Sequence, residues 1–231
     1  MFKTWRNIVL VVSLSLVLAG SASAYTGTLS SDTGGLLGTG IWVDKTLLPT
    51  PEWPDWTPAT ITWVVTYNPS ITMWHYDYTL SVYKQEVSHF VVEASLDFTI
   101  EDLFNPEGTP YQSIQVGEQS GAGSPGLPGS LYGIKFDSTT GTTVHFSFDS
   151  PRQPVWGDFY SKDGKAGDAW NAVWNAGFLI TDPLDPPANG SIDNHLLVPD
   201  TIVPEPTALM VLAIGLVGLG GLLARRRYAA R

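Results

Sequence analysis

Four histidines, a run of acids near residue 100, one acidic loop and two loop tryptophans are the residues of this chain equipped to do chemistry. His75, His89, His145 and His195 stand far apart, with no second ligand at metal-binding spacing. The first three fall on the polar faces of predicted strands. A nucleophilic triad needs an activated hydroxyl or thiol beside a base that a third group holds in place. The chain has no Gly-x-Ser-x-Gly elbow, and its 231 residues include no cysteine. That composition excludes a thiol nucleophile, a thiolate zinc site, an iron–sulfur cluster and a disulfide scaffold. No catalytic residue, metal site or cofactor is expected.

Glu93, Asp97, Glu101 and Asp102 invite a glycosidase reading, which asks for two carboxyl groups about 5 Å or about 6.5–9.5 Å apart. On one extended strand Glu93 and Asp97 lie about 13 Å apart at 3.3 Å per residue, too far to act as that pair alone. Acids spaced along a polar strand face ordinarily solvate it. The loop Asp163-Gly164-Lys165-Ala166-Gly167-Asp168 has the turn residues of a cation loop but departs from the Asp-x-[Asp/Asn]-x-[Asp/Asn]-Gly calcium pattern, so it reads as a hydrophilic connection.

Trp53 and Trp56 sit in Pro51-Glu-Trp-Pro-Asp-Trp-Thr-Pro58, a segment too rich in proline for a core strand. Flat indoles beside carboxylate acceptors suit a sugar ring, which offers an apolar C–H face and hydroxyl donors. These two residues are therefore the candidate carbohydrate platform. The plainer reading folds them back to cap one end of the domain. Trp63, Trp74, Tyr76 and Phe98 belong to predicted strands and are assigned to the core.

The elements that must position these groups alternate with period two, the signature of half-buried strands. Ile61, Trp63, Val65 and Tyr67 share one face. After a turn at Asn68-Pro69-Ser70, so do Trp74, Tyr76, Tyr78, Leu80 and Val82. Phe90, Val92, Ala94, Leu96, Phe98 and Ile100 continue the pattern. Tyr132, Ile134 and Phe136, then Val144, Phe146 and Phe148, flank Asp137–Gly141 and predict a hairpin. Further strands are expected over 156–160, 172–180 and 196–198, although Trp170, Val173 and Trp174 also fit a helical spacing. Many short strands with one apolar face each make an all-β ectodomain, an antiparallel β-sandwich, with a closed β-barrel as the alternative. The 23 glycines and 17 prolines agree with a body rich in turns. Gly121–Gly129 reads as a flexible loop within one domain.

The charge balance separates the body from its ends. The chain carries a net −10, with 12 basic against 22 acidic residues. Between Tyr25 and Val203 stand six basic and 21 acidic residues, a net −15. So acidic a body lacks the cationic surface that replaces phosphate counterions, and nucleic acid is excluded as a partner. Lys3 and Arg6 precede an apolar run, Ile8 to Leu18, and then Ala22-Ser23-Ala24. Residues 1–24 thus read as a signal peptide for the Sec translocon, with signal peptidase cutting between Ala24 and Tyr25. Ser21 stands where a lipoprotein requires cysteine. At the other end Thr207–Ala224 contains no charge and spans about 27 Å as a helix, enough for a transmembrane segment. Arg225, Arg226 and Arg227 then stop transfer and remain cytoplasmic. The expected domain order is a signal peptide (1–24), an exported ectodomain (25–203) and a C-terminal segment (204–231). The last comprises Pro204-Glu205-Pro206, the helix over 207–224 and a basic tail over 225–231. The body starts in the periplasm, anchored to the inner membrane. An ordinary anchor behind a Pro-Glu-Pro hinge is the plain alternative.

The order Pro204-Glu205-Pro206, short glycine-rich helix, arginine cluster, chain end resembles the PEP-CTERM sorting signal of exosortase substrates in Gram-negative bacteria. The resemblance spans Pro204 to Arg231. The blocks Tyr132–Asp137, Pro154–Tyr160 and Trp174–Phe178 are similar to those of other exosortase-substrate ectodomains, and they bring no known activity with them. The resemblance implies that exosortase recognises Pro204, Glu205 and Pro206 and removes the helix, and that the body reaches the cell surface or the extracellular medium. It also implies an association with exopolysaccharide and biofilm. The expectation is a non-enzymatic surface or matrix protein. A carbohydrate-binding module and a polysaccharide-modifying hydrolase stand as alternatives.

Overall fold

A computed structural model describes residues 24–47, 55–121, 124–164 and 171–199. Ala22, Trp53, Pro204, Glu205, Pro206, Arg225, Arg226 and Arg227, and with them most of the segment expected as a signal peptide and all of the segment expected as a C-terminal helix, lie outside the described residues. Among the described residues no helix is long and apolar enough to cross a membrane.

The described chain is all-β and antiparallel, and no sheet closes into a barrel. One sheet has five strands in the order β1 (Ala24–Ser30), β3 (Thr60–Asn68), β4 (Met73–Ser81), β9 (Thr143–Ser150) and β6 (Phe104–Gly108). A second has six, in the order β2 (Leu36–Thr39), β12 (Ala172–Asn175), β11 (Phe159–Asp163), β5 (Val87–Glu93), β8 (Leu131–Asp137) and β7 (Ser113–Gln119). A short ribbon joins β10 (Pro154–Gly157) to β13 (Leu196–Pro199).

The alternation places the core. Ile61, Trp63 and Val65 from β3, Tyr76, Tyr78 and Leu80 from β4, and Val144, Phe146 and Phe148 from β9 are all buried. They meet Phe90 and Val92 of β5 and Ile134 and Phe136 of β8 in one apolar cluster. Phe146 stacks 4.4 Å from Phe136 and 5.1 Å from Phe90, ring to ring across the two sheets. Stacked aromatic pairs contribute on the order of 1 kcal/mol each beyond the area they bury. The sheets therefore face one another in a sandwich-like arrangement.

Three expectations are corrected. The segments flanking Asp137–Gly141 do not form a hairpin: β8 pairs with β5 and β7, while β9 pairs with β4 and β6. The connection crosses between sheets, so Phe136 and Phe146 meet face to face instead of side by side. The strand through Phe90 ends at Glu93. Leu96 and Ile100 are exposed, and Phe98 returns to the core from a loop. Val91 explains the misleading pattern, because it too is buried, in a second cluster with Leu131, Tyr160, Ala172 and Phe178 on the outer side of the sheet. Finally, 156–160 is broken at Asp158 between β10 and β11, and the strand expected over 172–180 stops at Asn175. Four strands, β1, β2, β6 and β7, lie outside those expected from the pattern.

Candidate functional site

The broken strand at Asp158 is where the chain gathers its polar groups. Asp158 lies between β10 and β11, and its backbone N–H donates to Glu93 Oε2 at 2.8 Å. Its carbonyl accepts from the backbone N–H of Glu93 at 2.9 Å, so β5 ends by clasping the kink from both sides. Asn175, the last residue of β12, donates from Nδ2 to Asp158 Oδ1 at 2.6 Å and accepts from the N–H of Phe159 at 3.0 Å. Both ends of that amide are thereby fixed.

His195 enters from a tight turn just before β13. Its backbone N–H bonds to Ile192 O at 2.8 Å, and the two residues between, Asp193 and Asn194, have φ of 47° and 61°. Asp and Asn tolerate that left-handed backbone better than other non-glycine residues, which is why this turn reads Ile-Asp-Asn-His. The imidazole lies against Gly177, where an added Cβ would sit 2.6 Å from His195 Cε1. Gly157 plays the matching part for Glu93, since its Cβ would fall 2.8 Å from Glu93 Oε2. Asp182, in the loop after β12, completes the group with Oδ1 3.4 Å from His195 Nε2, while Asp158 Oδ1 is 3.6 Å from the same nitrogen.

Crowding of acids sets their protonation. Burial, reinforced by the negative charges of Asp182 and Asp158, pushes the Glu93 carboxyl up to about 8. Burial also raises Asp158 to about 6, with Asp182 adding to the rise while the Asn175 hydrogen bond and His195 oppose it. Asp182 is raised by burial against the pull of His195. Beside this group opens a cavity of about 630 Å³, lined by Glu93, Asp182, Glu118, Ser130, Tyr132 and Trp156 among others. Its size falls within the range of small-ligand sites. Tyr132 is held in place by its hydroxyl, which donates to Phe98 O at 3.0 Å.

The acids read along one strand are thus divided. Glu93 faces the cavity, but Asp97 and Asp102 pair with Arg152 at 3.2 and 3.1 Å. The histidines, isolated in sequence, each gain a carboxylate in space: Asp149 for His75, Asp137 for His89, Asp77 for His145, and both Asp158 and Asp182 for His195. His195, which has no partner at metal-ligand spacing in the sequence, lies in space beside Asp158 and Asp182, the three offering ligand atoms within 4.8 Å of one another. Asp163 is buried, and its Oδ2 accepts from both the backbone and side-chain N–H groups of Asn171. It ties the loop ends together.

Trp56 is half-buried and donates from Nε1 to Ile41 O at 2.9 Å, with Lys45 Nζ 6.0 Å from its ring centre. That tether matches the capping reading for this residue. Trp56→Phe is expected to lower stability by about 1 kcal/mol, the worth of one lost hydrogen bond, as measured by the urea midpoint at unchanged slope. Ala24 and Tyr25 open β1, with Tyr25 opposite Val65. Compared with protein-family models, curated proteins and solved structures, the chain matches none of them.

Proposed function

We propose that this chain is an exported, non-enzymatic protein of the cell surface or extracellular matrix whose sandwich body binds a carbohydrate segment in the cavity beside Glu93. The observation that carries the binding reading is the lining of that cavity. Glu93, Glu118 and Asp182 supply acceptors for sugar hydroxyls, Ser130 a donor, and Tyr132 an aromatic surface for a C–H face. A neutral glycan fits such a lining, whereas an anionic one would meet the carboxylates of a body at net −15. The delivery route rests on the terminal resemblance: a signal peptide over 1–24, exosortase recognition of Pro204-Glu205-Pro206, and removal of the helix from a protein first anchored in the inner membrane.

The binding is tested by tryptophan fluorescence titrated with neutral oligosaccharides from the producer's own exopolysaccharide. A saturable change is expected, with affinity falling roughly tenfold in Glu118→Ala, an exposed residue whose loss leaves the core intact. No saturable change in the wild type would remove the binding reading. Reducing-sugar release that disappears in Glu93→Gln would replace it with the hydrolase reading. The route is tested separately: deleting exosortase should leave the protein larger and in the inner membrane. Unchanged size and location would end the sorting proposal.

A further inference from the structure

Three lone-pair donors from three different segments converge behind the cavity, and the tautomer of one of them makes the arrangement specific. His195 Nδ1 lies 3.3 Å from Ile192 O. A carbonyl oxygen can only accept, so in a neutral imidazole Nδ1 carries the proton and Nε2 presents a bare lone pair. That Nε2 is fully buried and has no hydrogen-bond partner among the described residues. It aims between Asp158 Oδ1 at 3.6 Å and Asp182 Oδ1 at 3.4 Å. Acceptor faces acceptor twice, which is unfavourable unless a positive centre sits among them.

We propose that Asp158, Asp182 and His195 form a binding site for one divalent cation of the zinc class. The spacing agrees with this. Ligands held about 2.1 Å from a tetrahedral ion stand on the order of 3.4 Å from one another. The surrounding groups agree as well. A ligating histidine ordinarily donates its other ring N–H to a carbonyl, as His195 does to Ile192, and a ligating carboxylate is ordinarily held by a hydrogen bond, as Asp158 is by Asn175. The side chain of Asp182 is 45% exposed, so the ion has a way in from solvent and a position left for water. One imidazole with two carboxylates suits zinc and its neighbours, whereas calcium and magnesium favour shells made entirely of oxygen. Asp182 also lines the cavity, so this site shares one residue with the glycan reading.

The test uses the purified full-length protein in detergent, stripped with EDTA and dialysed. Calorimetric titration with Zn²⁺ is expected to give one site with Kd at or below about 1 μM. Co²⁺ is expected to give the intense visible bands of a four-coordinate ion. Asp182→Asn, which removes a half-exposed negative charge from the crowded acids, should not lower the metal-free unfolding midpoint while weakening Zn²⁺ by more than about tenfold, the scale on which even outer-shell partners act. His195→Gln should abolish the cobalt bands. Absence of saturable Zn²⁺ binding would overturn the proposal. Binding of Ca²⁺ in preference to Zn²⁺, weak six-coordinate cobalt bands, or Zn²⁺ affinity unchanged in Asp182→Asn would overturn it equally. The glycan titration is run separately, in EDTA, so that failure of either proposal leaves the other standing.

Discussion

Arg152→Met is expected to destabilise the protein by about 3 kcal/mol, since removing one partner of a buried ion pair strands the other. For a body of this size that is a fall in Tm of about 6–12 °C by calorimetry. The side chain of Arg152 is only 6% exposed. Its guanidinium donates to Asp97 Oδ2 and Asp97 O, both at 3.2 Å, and to Asp102 Oδ2 at 3.1 Å, and it lies 5.9 Å from the Phe98 ring. Methionine keeps the packing against Phe98 but leaves Asp102, 19% exposed, without its cation. Asp97, 62% exposed, can rehydrate, which holds the cost at the lower end for a buried pair. Burial acts to raise Asp102, but hydrogen bonds from Arg152 and Thr99 and the guanidinium charge outweigh it and hold the carboxyl below its usual range. A depressed folded-state value means that this stability is present above about pH 4 and drains as pH falls further. Arg152→Met should flatten that acid limb. The same loop carries Ser95 and Leu96 to the cavity wall, so glycan affinity should fall with it.

Glu93→Gln should act in the opposite direction, stabilising the metal-free protein at alkaline pH. Glu93 titrates at about 8 in the folded state against 4.5 for a free carboxyl. Because the folded value is raised, its favourable contribution is whole below about pH 4.5 and is lost as pH climbs through 8. A shift of that size corresponds to about 5 kcal/mol between the two limits. Glutamine stays neutral throughout, and its amide oxygen can still accept the Asp158 N–H that Glu93 Oε2 accepts at 2.8 Å. In EDTA the wild-type Tm should decline from pH 5 to pH 9, and the variant's should decline far less. Parallel curves would show that Glu93 enters the fold already ionised.

What could be read before folding, and what could not, follows from where the information resides. Strands β3, β4 and β9 were legible because each has one buried and one wetter face, so Ile61, Trp63 and Val65 alternate with threonines and the exposed Val64, which carry no core role. Strand β5 misled because Phe90, Val91 and Val92 are buried on both sides of the sheet, and the apolar beat beyond Glu93 belongs to a loop. The supposed hairpin failed for a different reason. Phe136 and Phe146 point into the same core whether their strands pair or oppose, so periodicity carries no record of the pairing partner. The candidate site was the least legible part. Asp158, Asp182 and His195 come from a strand break, a loop and a turn, and no spacing rule links them. The signals that existed were indirect: Gly157 beside Asp158, Gly177, and the Asp193-Asn194 turn that aims His195. The glycosidase geometry looked for a partner of Glu93 along one strand, whereas its acidic neighbours lie across the sheet.

The strand order also governs when the protein can fold. Leu36 and Thr39 of β2 pair with Asn175 and Ala172, and β4, β5 and β6 all await partners from later in the chain. Closing the loop from β2 to β12 alone costs about 4 kcal/mol of chain entropy before any contact repays it. Topologies of this kind close in milliseconds to seconds, and only once the late strands are present. On the export route proposed above, in which the chain threads a translocon as an extended polymer, that delay keeps the early strands open until the last ones have emerged.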